Sequence, residues 1–180
     1  MRYKLFIWTP LFIFFALVVS APYSTPTIDG SIAEWNENEL VGDDPDDDSH
    51  WGSEFDNIYV TWDSMNLYIG LEFSVSENAM VLYIEAGNPN GVTDFNSSRG
   101  YEGAYPRNIT FPDSIGIDII VASWSGQGPY IYATADNSSD ELTSSCVTAV
   151  AGAFVQEVAI PWNEIYPGAS DIVLPGAYLK

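Results

Sequence analysis

The sequence predicts an all-β protein, an antiparallel β-sandwich of two sheets with a jelly-roll-like or immunoglobulin-like arrangement. Apolar and polar residues alternate with a period of two in most segments, and turn sequences rich in Asn, Asp, Ser and Gly separate them. No segment carries apolar residues at helical spacing over three turns. A chain of 180 residues with 47% hydrophobic residues has enough apolar material for one folded domain.

The first 21 residues have the pattern of a secretory signal peptide. Arg2 and Lys4 form a short positive region, residues 5–19 are apolar apart from Thr9 and Pro10, and small residues precede residue 22. We therefore expect a secreted or cell-surface protein whose β-sandwich domain covers residues 22–180. An uncleaved N-terminal anchor is the alternative. Three sequons, which fit an extracellular surface, are candidate glycosylation sites: Asn96, Asn108 and Asn137.

Two alternating runs predict the first hairpin. In residues 55–62, Ile58, Val60 and Trp62 share one face, and residues 67–73 alternate in the same way. The polar residues 63–66 between them have the composition of a turn. Two such runs joined by a short turn indicate an antiparallel pair with one buried face.

Further strands are expected along the rest of the chain. The predicted segments are 79–85, 114–124, 129–135, 143–150 and 154–160. Ile115, Ile117, Ile119 and Val121 are expected on one face of their strand. Residues 162–166 could form one helical turn after Pro161, and the long loop 87–112 is expected to bind something or to be partly structured.

The carboxyl end resembles the beginning of another strand. Residues 178–180 follow a turn at Pro175-Gly176, and a strand of three residues is too short to complete a sheet. We expect the sequence to be the front part of a longer chain that lacks its last strands here. A short terminal strand that caps the sheet is the alternative.

Charge and composition exclude several classes of function. With 25 acidic and 5 basic residues the net charge is −20, which argues against binding to nucleic acid or to an anionic membrane surface. One Cys and one His exclude an intramolecular disulfide framework and zinc sites built from several thiolates or imidazoles.

The sequence offers no convincing catalytic constellation. His50 is the only base for a serine-type mechanism, and its neighbours Ser49 and Asp48 would point to other faces of an extended backbone. Glu72, Glu85 and Glu157 are candidate carboxylates for glycoside hydrolysis, but they lie within predicted strands and are expected to face water. We therefore expect a binding module without catalytic activity.

The acidic segment 43–48 is a candidate calcium site. Its carboxylates stand at alternate or adjacent positions, so several oxygens could converge on one hard cation. The candidate ligands are Asp43, Asp44, Asp46 and Asp48. A solvated acidic loop without a bound ion is the equal alternative.

Aromatic residues are candidates for sugar binding because the C–H faces of a pyranose stack on flat rings. Trp62 and Trp162 are expected in the core, and Trp35 is expected to pack over an open end of the sandwich. Trp51 in the acidic loop and Trp124 at the end of its strand are the preferred platforms. Tyr101 and Tyr105 in the long loop are further carbohydrate-binding candidates.

The order of several short motifs resembles the start of a known β-sandwich carbohydrate-binding domain. The motifs are Thr27-Ile28-Asp29-Gly30, Glu34-Trp35, Asp48-Ser49-His50-Trp51-Gly52, Asn57-Ile58-Tyr59-Val60-Thr61-Trp62-Asp63, Asn66-Leu67-Tyr68-Ile69-Gly70 and Val155-Gln156-Glu157-Val158-Ala159-Ile160-Pro161-Trp162. They resemble the C-terminal module of glucodextranase and modules of secreted amylopullulanases. They are similar, more distantly, to family 9 carbohydrate-binding modules and DOMON-like domains.

The resemblance implies a polysaccharide as partner, with α-glucan favoured, and a covalently linked catalytic or surface domain elsewhere in a longer protein. Two alternatives remain open. One is a structural or adhesive sandwich of a cell-surface layer. The other is a DOMON-type haem or sugar module, in which His50 with Met65 or Met80 would have to hold the haem.

Overall fold

The protein is all-β, as the sequence predicts. The computed structural model describes residues 24–45, 53–75, 79–87, 91–95, 109–124, 127–135, 138–151 and 155–167. The strands are β1 (Leu40–Asp43), β2 (Glu54–Trp62), β3 (Asn66–Ser74), β4 (Ala79–Ile84), β5 (Asp94–Phe95), β6 (Ile109–Thr110), β7 (Ile119–Trp124), β8 (Gln127–Ala135), β9 (Ser138–Glu141), β10 (Val147–Ala151) and β11 (Val155–Pro161). In this part of the chain the helical elements are the 3₁₀ turns Glu37–Glu39 and Thr143–Ser145 and the single α-helical turn α1 (Trp162–Ile165). None of these described helices is long and apolar enough to cross a membrane.

The strands form two antiparallel sheets and a small ribbon. The first sheet has five strands in the order β1-β2-β3-β11-β10, and the second has four in the order β4-β7-β8-β9. Among the described strands, β5 and β6 pair with each other alone, and they lie within the predicted long loop. The predicted hairpin is confirmed, with Val60 opposite Ile69 in the register of β2 and β3.

One main core lies between the two sheets. Alternate residues of β3 and β11 meet alternate residues of β7 and β8, as the period of two requires. The buried members from these strands are Leu67, Ile69, Leu71, Phe73, Ile119, Val121, Ile131, Val158 and Ile160. Trp162 closes the core from α1 and donates its indole N–H to the Asp63 carbonyl oxygen over 2.8 Å, so its predicted place in the core is confirmed.

The predicted strand 114–124 is shorter and changes phase at Asp118. Ile119 and Val121 enter the core between the sheets, whereas Ile117 joins Ile120 in a second apolar cluster on the outer face of the four-stranded sheet. The expectation that Ile117 and Ile119 share one face is therefore wrong. The buried Asp118 lies outside any described strand, and its Oδ2 accepts the Ala86 backbone N–H over 2.7 Å. A polar side chain is thus buried at the point where the alternation shifts.

The N-terminal segment covers the outer face of the five-stranded sheet. We call residues 24–39 the N-terminal strap. Its Trp35 packs on Tyr68 and Ala159, with Ile28 and Tyr59 beside them. Trp35 therefore covers the middle of a sheet face, and the expectation that it closes an open end of the sandwich is wrong.

Glu157 holds this strap from within β11, and it does not face water. The side chain is 0% exposed. Its Oε2 accepts the backbone N–H groups of Asp29, Gly30 and Ser31 over 3.0, 2.6 and 3.1 Å, and its Oε1 accepts the Trp35 indole N–H over 2.8 Å. A buried carboxylate is tolerated when several donors replace its hydration, and these four donors do so here.

The predicted strand 143–150 is also corrected. Its first residues form the 3₁₀ turn Thr143–Ser145, and β10 begins only at Val147. The Thr143 hydroxyl accepts the Ile131 backbone N–H over 3.0 Å, which ties this turn to β8. Cys146 lies between the turn and the strand, half-buried against the core, so it does not belong to a strand as expected.

Candidate functional site

An aromatic pocket lies on the outer face of the four-stranded sheet. Its volume is about 330 Å³, within the usual range of small-ligand sites. The described residues that line it are Trp124, Gln127, Tyr130 and Tyr132. We call this site the Trp124 pocket.

The pairing of β7 with β8 brings these side chains together. Ile120 lies opposite Tyr132 and Ala122 lies opposite Tyr130, so all four point to the outer face. Because Ala122 is small, it leaves space between the larger side chains around it. The Trp124 and Tyr130 rings meet edge to face at 71°, with their centroids 5.5 Å apart.

A bulge near the end of this pair places Gln127 beside Trp124. The register shifts between Ala122 and Trp124, because three steps along β8 match two steps along β7. Gly128 accommodates the extra residue with a φ of +98°, in the region that favours glycine. A Cβ at this position would also lie 3.0 Å from the Ala122 carbonyl oxygen. The glycine therefore allows the geometry that seats Trp124 and Gln127 together.

The chain between β4 and β7 covers the other part of this sheet face. Phe95 of β5 and Phe111 pack on Tyr83, with ring centroids 5.6 and 5.3 Å away. Val92 and Ile117 pair as an isolated bridge within the same cluster. Tyr132 belongs to this cluster and also lines the pocket, so it forms the wall between the covered part of the face and the Trp124 pocket.

An acidic side chain, Glu141, stands beside the pocket among the described residues. Glu141 of the edge strand β9 is exposed and lies opposite Tyr132 in the register. Burial raises the pKa of the Tyr132 phenol, and the Glu141 charge raises it further, with a contribution from Tyr130. All Lys, Arg and His residues of the chain fall outside the described residues, so the described scaffold carries only acidic charges. The phenol of Tyr132 stays neutral and can both donate and accept hydrogen bonds.

The sequence located one member of this pocket and missed three. Trp124 is half-buried and lines the pocket, and its role as a sugar platform stays a prediction. Tyr130, Tyr132 and Gln127 were not selected, although Tyr130 and Tyr132 alternate in a predicted strand that follows Trp124 after a turn. That alternation was the available indication. The other predicted sugar-binding residues, Trp51, Tyr101 and Tyr105, lie outside the described residues, as do the sequons Asn96, Asn108 and Asn137.

Only part of the candidate calcium site is described. Asp43 and Asp44 are exposed at the end of β1, and the Asp44 backbone N–H donates to the Asp56 carbonyl oxygen over 2.8 Å. Asp46 and Asp48 lie outside the described residues. Within the described ranges no three His, Cys, Asp or Glu side chains are grouped to hold a metal ion. Calcium binding by this segment stays a prediction.

The candidate haem pair is His50 with Met65 or Met80, and only the methionines lie among the described residues. Met80 is buried in the core between the sheets, whereas Met65 is exposed in the turn between β2 and β3. His50 lies outside the described residues. Haem binding by one of these pairs stays a prediction.

The pocket offers ring faces, an amide and phenol hydroxyls on a rigid sheet. Ring faces contribute dispersion and apolar burial, and the Gln127 amide can donate and accept hydrogen bonds. This combination fits a ligand with flat apolar faces and hydroxyl groups at its edges. The chain matches no protein-family model and no curated protein, so the chemistry of the pocket carries the functional argument.

Proposed function

We propose that this protein is a non-catalytic polysaccharide-binding module, exported from the cell, whose ligand stacks in the Trp124 pocket. The observation that carries the proposal is the juxtaposition of Trp124 and Tyr130 at the mouth of an open pocket with polar groups beside them. A sugar ring can lie on the indole while Gln127 and the tyrosine hydroxyls contact its hydroxyl groups.

Sequence resemblance adds α-glucan as the favoured ligand and a linked catalytic or surface domain as context. The resembling residues Asp29, Gly30 and Trp35 contact Glu157 on the outer face of the five-stranded sheet. The Trp124 pocket lies on the outer face of the other sheet. The resemblance thus supports the scaffold, whereas the pocket residues would select the sugar.

Affinity electrophoresis in gels that contain amylopectin or another polysaccharide tests this proposal. We expect the parent protein to be retarded and the Trp124→Ala and Tyr130→Ala variants to lose most of the retardation. The loss of one ring contact worth about 1.4 kcal/mol lowers the affinity about tenfold. Tyr59→Ala, which removes a half-buried ring from the opposite sheet, is the matched control and should be retarded like the parent. Circular dichroism would check that each variant folds. Equal retardation of the parent and Trp124→Ala would refute the assignment of the pocket.

Calcium is proposed as a structural ion bound by the acidic segment 43–48. The supporting feature is the density of carboxylates, which repel one another without a counter-ion. We expect the melting temperature to be higher in millimolar calcium than in chelator, and the Asp43→Asn, Asp44→Asn double variant to lose most of that difference. The same melting temperature in both conditions would remove calcium from the proposal.

A structural or adhesive role at the cell surface is the second candidate, and the exposed edge of β10 favours it. Val147 and Val150 are 59% and 46% exposed, and β10 is the last of the described strands in its sheet. An uncharged edge strand is a template for pairing with another chain. Sedimentation velocity should then show concentration-dependent association of the parent that Val150→Lys abolishes. A monomer at all concentrations would exclude this form of self-association.

A further inference from the structure

The Trp124 pocket combines aromatic faces with negative charge, and this combination bears on the charge of its ligand. The faces of indole and phenol rings carry negative electrostatic potential, which attracts cations. Tyr132 forms one wall of the pocket, and the exposed Glu141 stands opposite Tyr132 in the register of β8 and β9. An ammonium group near this wall would therefore be favoured, and a carboxylate or sulfate there would be repelled.

The net charge of the whole chain also favours cationic ligands over anionic ones. With a net charge of −20 the protein attracts cationic ligands and repels polyanions during their approach. The described residues around the pocket contribute no cationic side chain that would hold an acidic sugar.

We propose that the Trp124 pocket prefers sugars that carry ammonium groups, such as partly or fully deacetylated amino-sugar polymers, over neutral sugars of the same shape. This inference rests on the proposed polysaccharide-binding function. One sugar ring stacks on Trp124, and its ammonium group lies toward Tyr132 and Glu141. Neutral glucans bind the same ring face without this electrostatic contribution.

Two oligosaccharides with the same linkage provide the test. A β-1,4-linked glucosamine hexamer and cellohexaose differ only in the ammonium group that replaces one hydroxyl per sugar. By calorimetry at low ionic strength, and at a pH where the amines are charged, we expect the glucosamine hexamer to bind about fivefold tighter, the size of an exposed cation–π contact. In half-molar salt the difference should shrink, because salt screens exposed charges.

Three variants separate a specific contact from general attraction to an acidic surface. Glu141→Gln should reduce the ratio of the affinity for the glucosamine hexamer to the affinity for cellohexaose. Glu37→Gln, which removes an exposed charge from the strap on the other sheet, should leave the preference unchanged. Trp124→Ala should weaken binding of both hexamers.

The outcomes distinguish this inference from the function on which it rests. If cellohexaose binds through Trp124 and the glucosamine hexamer binds no tighter than cellohexaose, the charge preference is wrong and the polysaccharide-binding function stands. The same conclusion follows if amylopectin binds through Trp124 and neither hexamer binds. If Glu141→Gln and Glu37→Gln reduce the preference equally, the attraction is general, and the assignment to the pocket fails. If no hexamer and no polysaccharide binds, the proposed function and this inference fail together.

Discussion

Trp35 donates its indole N–H to the Glu157 carboxylate over 2.8 Å, although the two residues are 122 positions apart in the chain. The same carboxylate accepts the three consecutive backbone N–H groups of residues 29–31 in the strap. One buried acidic group in β11 therefore holds the strap at two places, residues 29–31 and Trp35, and the strap packs on β2, β3 and β11.

This contact predicts a large loss of stability when the carboxylate is removed. Glu157→Ala removes the acceptor of two buried donors, the Gly30 backbone N–H and the Trp35 indole N–H, and of the part-buried Asp29 backbone N–H. It should lower the free energy of unfolding by about 3 kcal/mol or more. Trp35→Phe keeps a ring but removes one donor and should cost about 1.5 kcal/mol. Urea unfolding measures both. Wild-type stability of Glu157→Ala would show that the strap does not depend on this carboxylate.

Gly70 leaves the space that Trp35 fills. A Cβ on residue 70 would lie 3.0 Å from Trp35 Cε2 and 3.2 Å from Cζ2, closer than packed rings allow. We expect Gly70→Ala to destabilise the protein by about 1–3 kcal/mol through overpacking. Gly42→Ala in β1 is the matched control, because its Cβ would meet Ile58 at an ordinary 3.4 Å. If the two substitutions have equal effects on thermal unfolding, the packing argument is wrong.

Two further carboxylates predict a specific dependence of stability on pH. Burial acts to raise the pKa of Glu39, but hydrogen bonds from the Asn36 backbone, Ser24, Thr61 and the Asn36 side chain outweigh it, so the net pKa lies below the ordinary 4.5. Burial likewise acts to raise the pKa of Asp63. Hydrogen bonds from Tyr68 and from the backbone of Met65 and Asn66 lower it by more, so the pKa of Asp63 lies below the ordinary 3.8.

A group whose pKa is lowered by folding stabilises the folded state above its unfolded pKa, and this contribution is lost as the pH falls through its folded pKa. Glu39→Gln and Asp63→Asn should therefore be less stable than the parent at pH 7, and the difference should shrink progressively below about pH 4.5. Glu37→Gln, in the same 3₁₀ turn and exposed, is the control. A stability difference that stays constant from pH 7 to pH 3 would contradict the prediction.

Cys146 should react slowly in the folded protein. Burial raises the pKa of its thiol to about 12, with a further contribution from the Glu164 charge. Since the thiolate is the reactive form, alkylation by iodoacetamide at pH 8 should be slower in the native state than in urea by on the order of a hundredfold or more. Mass spectrometry follows the single cysteine directly. Comparable rates in both states would show that the thiol is accessible and ionised when the protein is folded.

Local sequence was sufficient to predict the strands whose faces differ in polarity. The runs in β2 and β3 and the turn at Asp63 were placed correctly, because a strand with one buried face needs a period of two and a polar turn. The prediction failed at Asp118 and at Glu157, where polar side chains enter the interior. Their cost is offset by backbone N–H donors that are distant in sequence, and no local pattern reveals such partners.

The candidate site, too, could be predicted from the sequence only in part. Trp124 could be selected because it ends a strand beside a turn, but its neighbours Tyr130 and Tyr132 depend on the register of β7 with β8 and on the bulge at Gly128. The sequence by itself determined the all-β class, the acidity and the supply of aromatic rings, since these follow from composition and periodicity. Only the tertiary structure decided which rings share an open face, because strand pairing and the covering segments select that face through contacts between residues far apart in the chain.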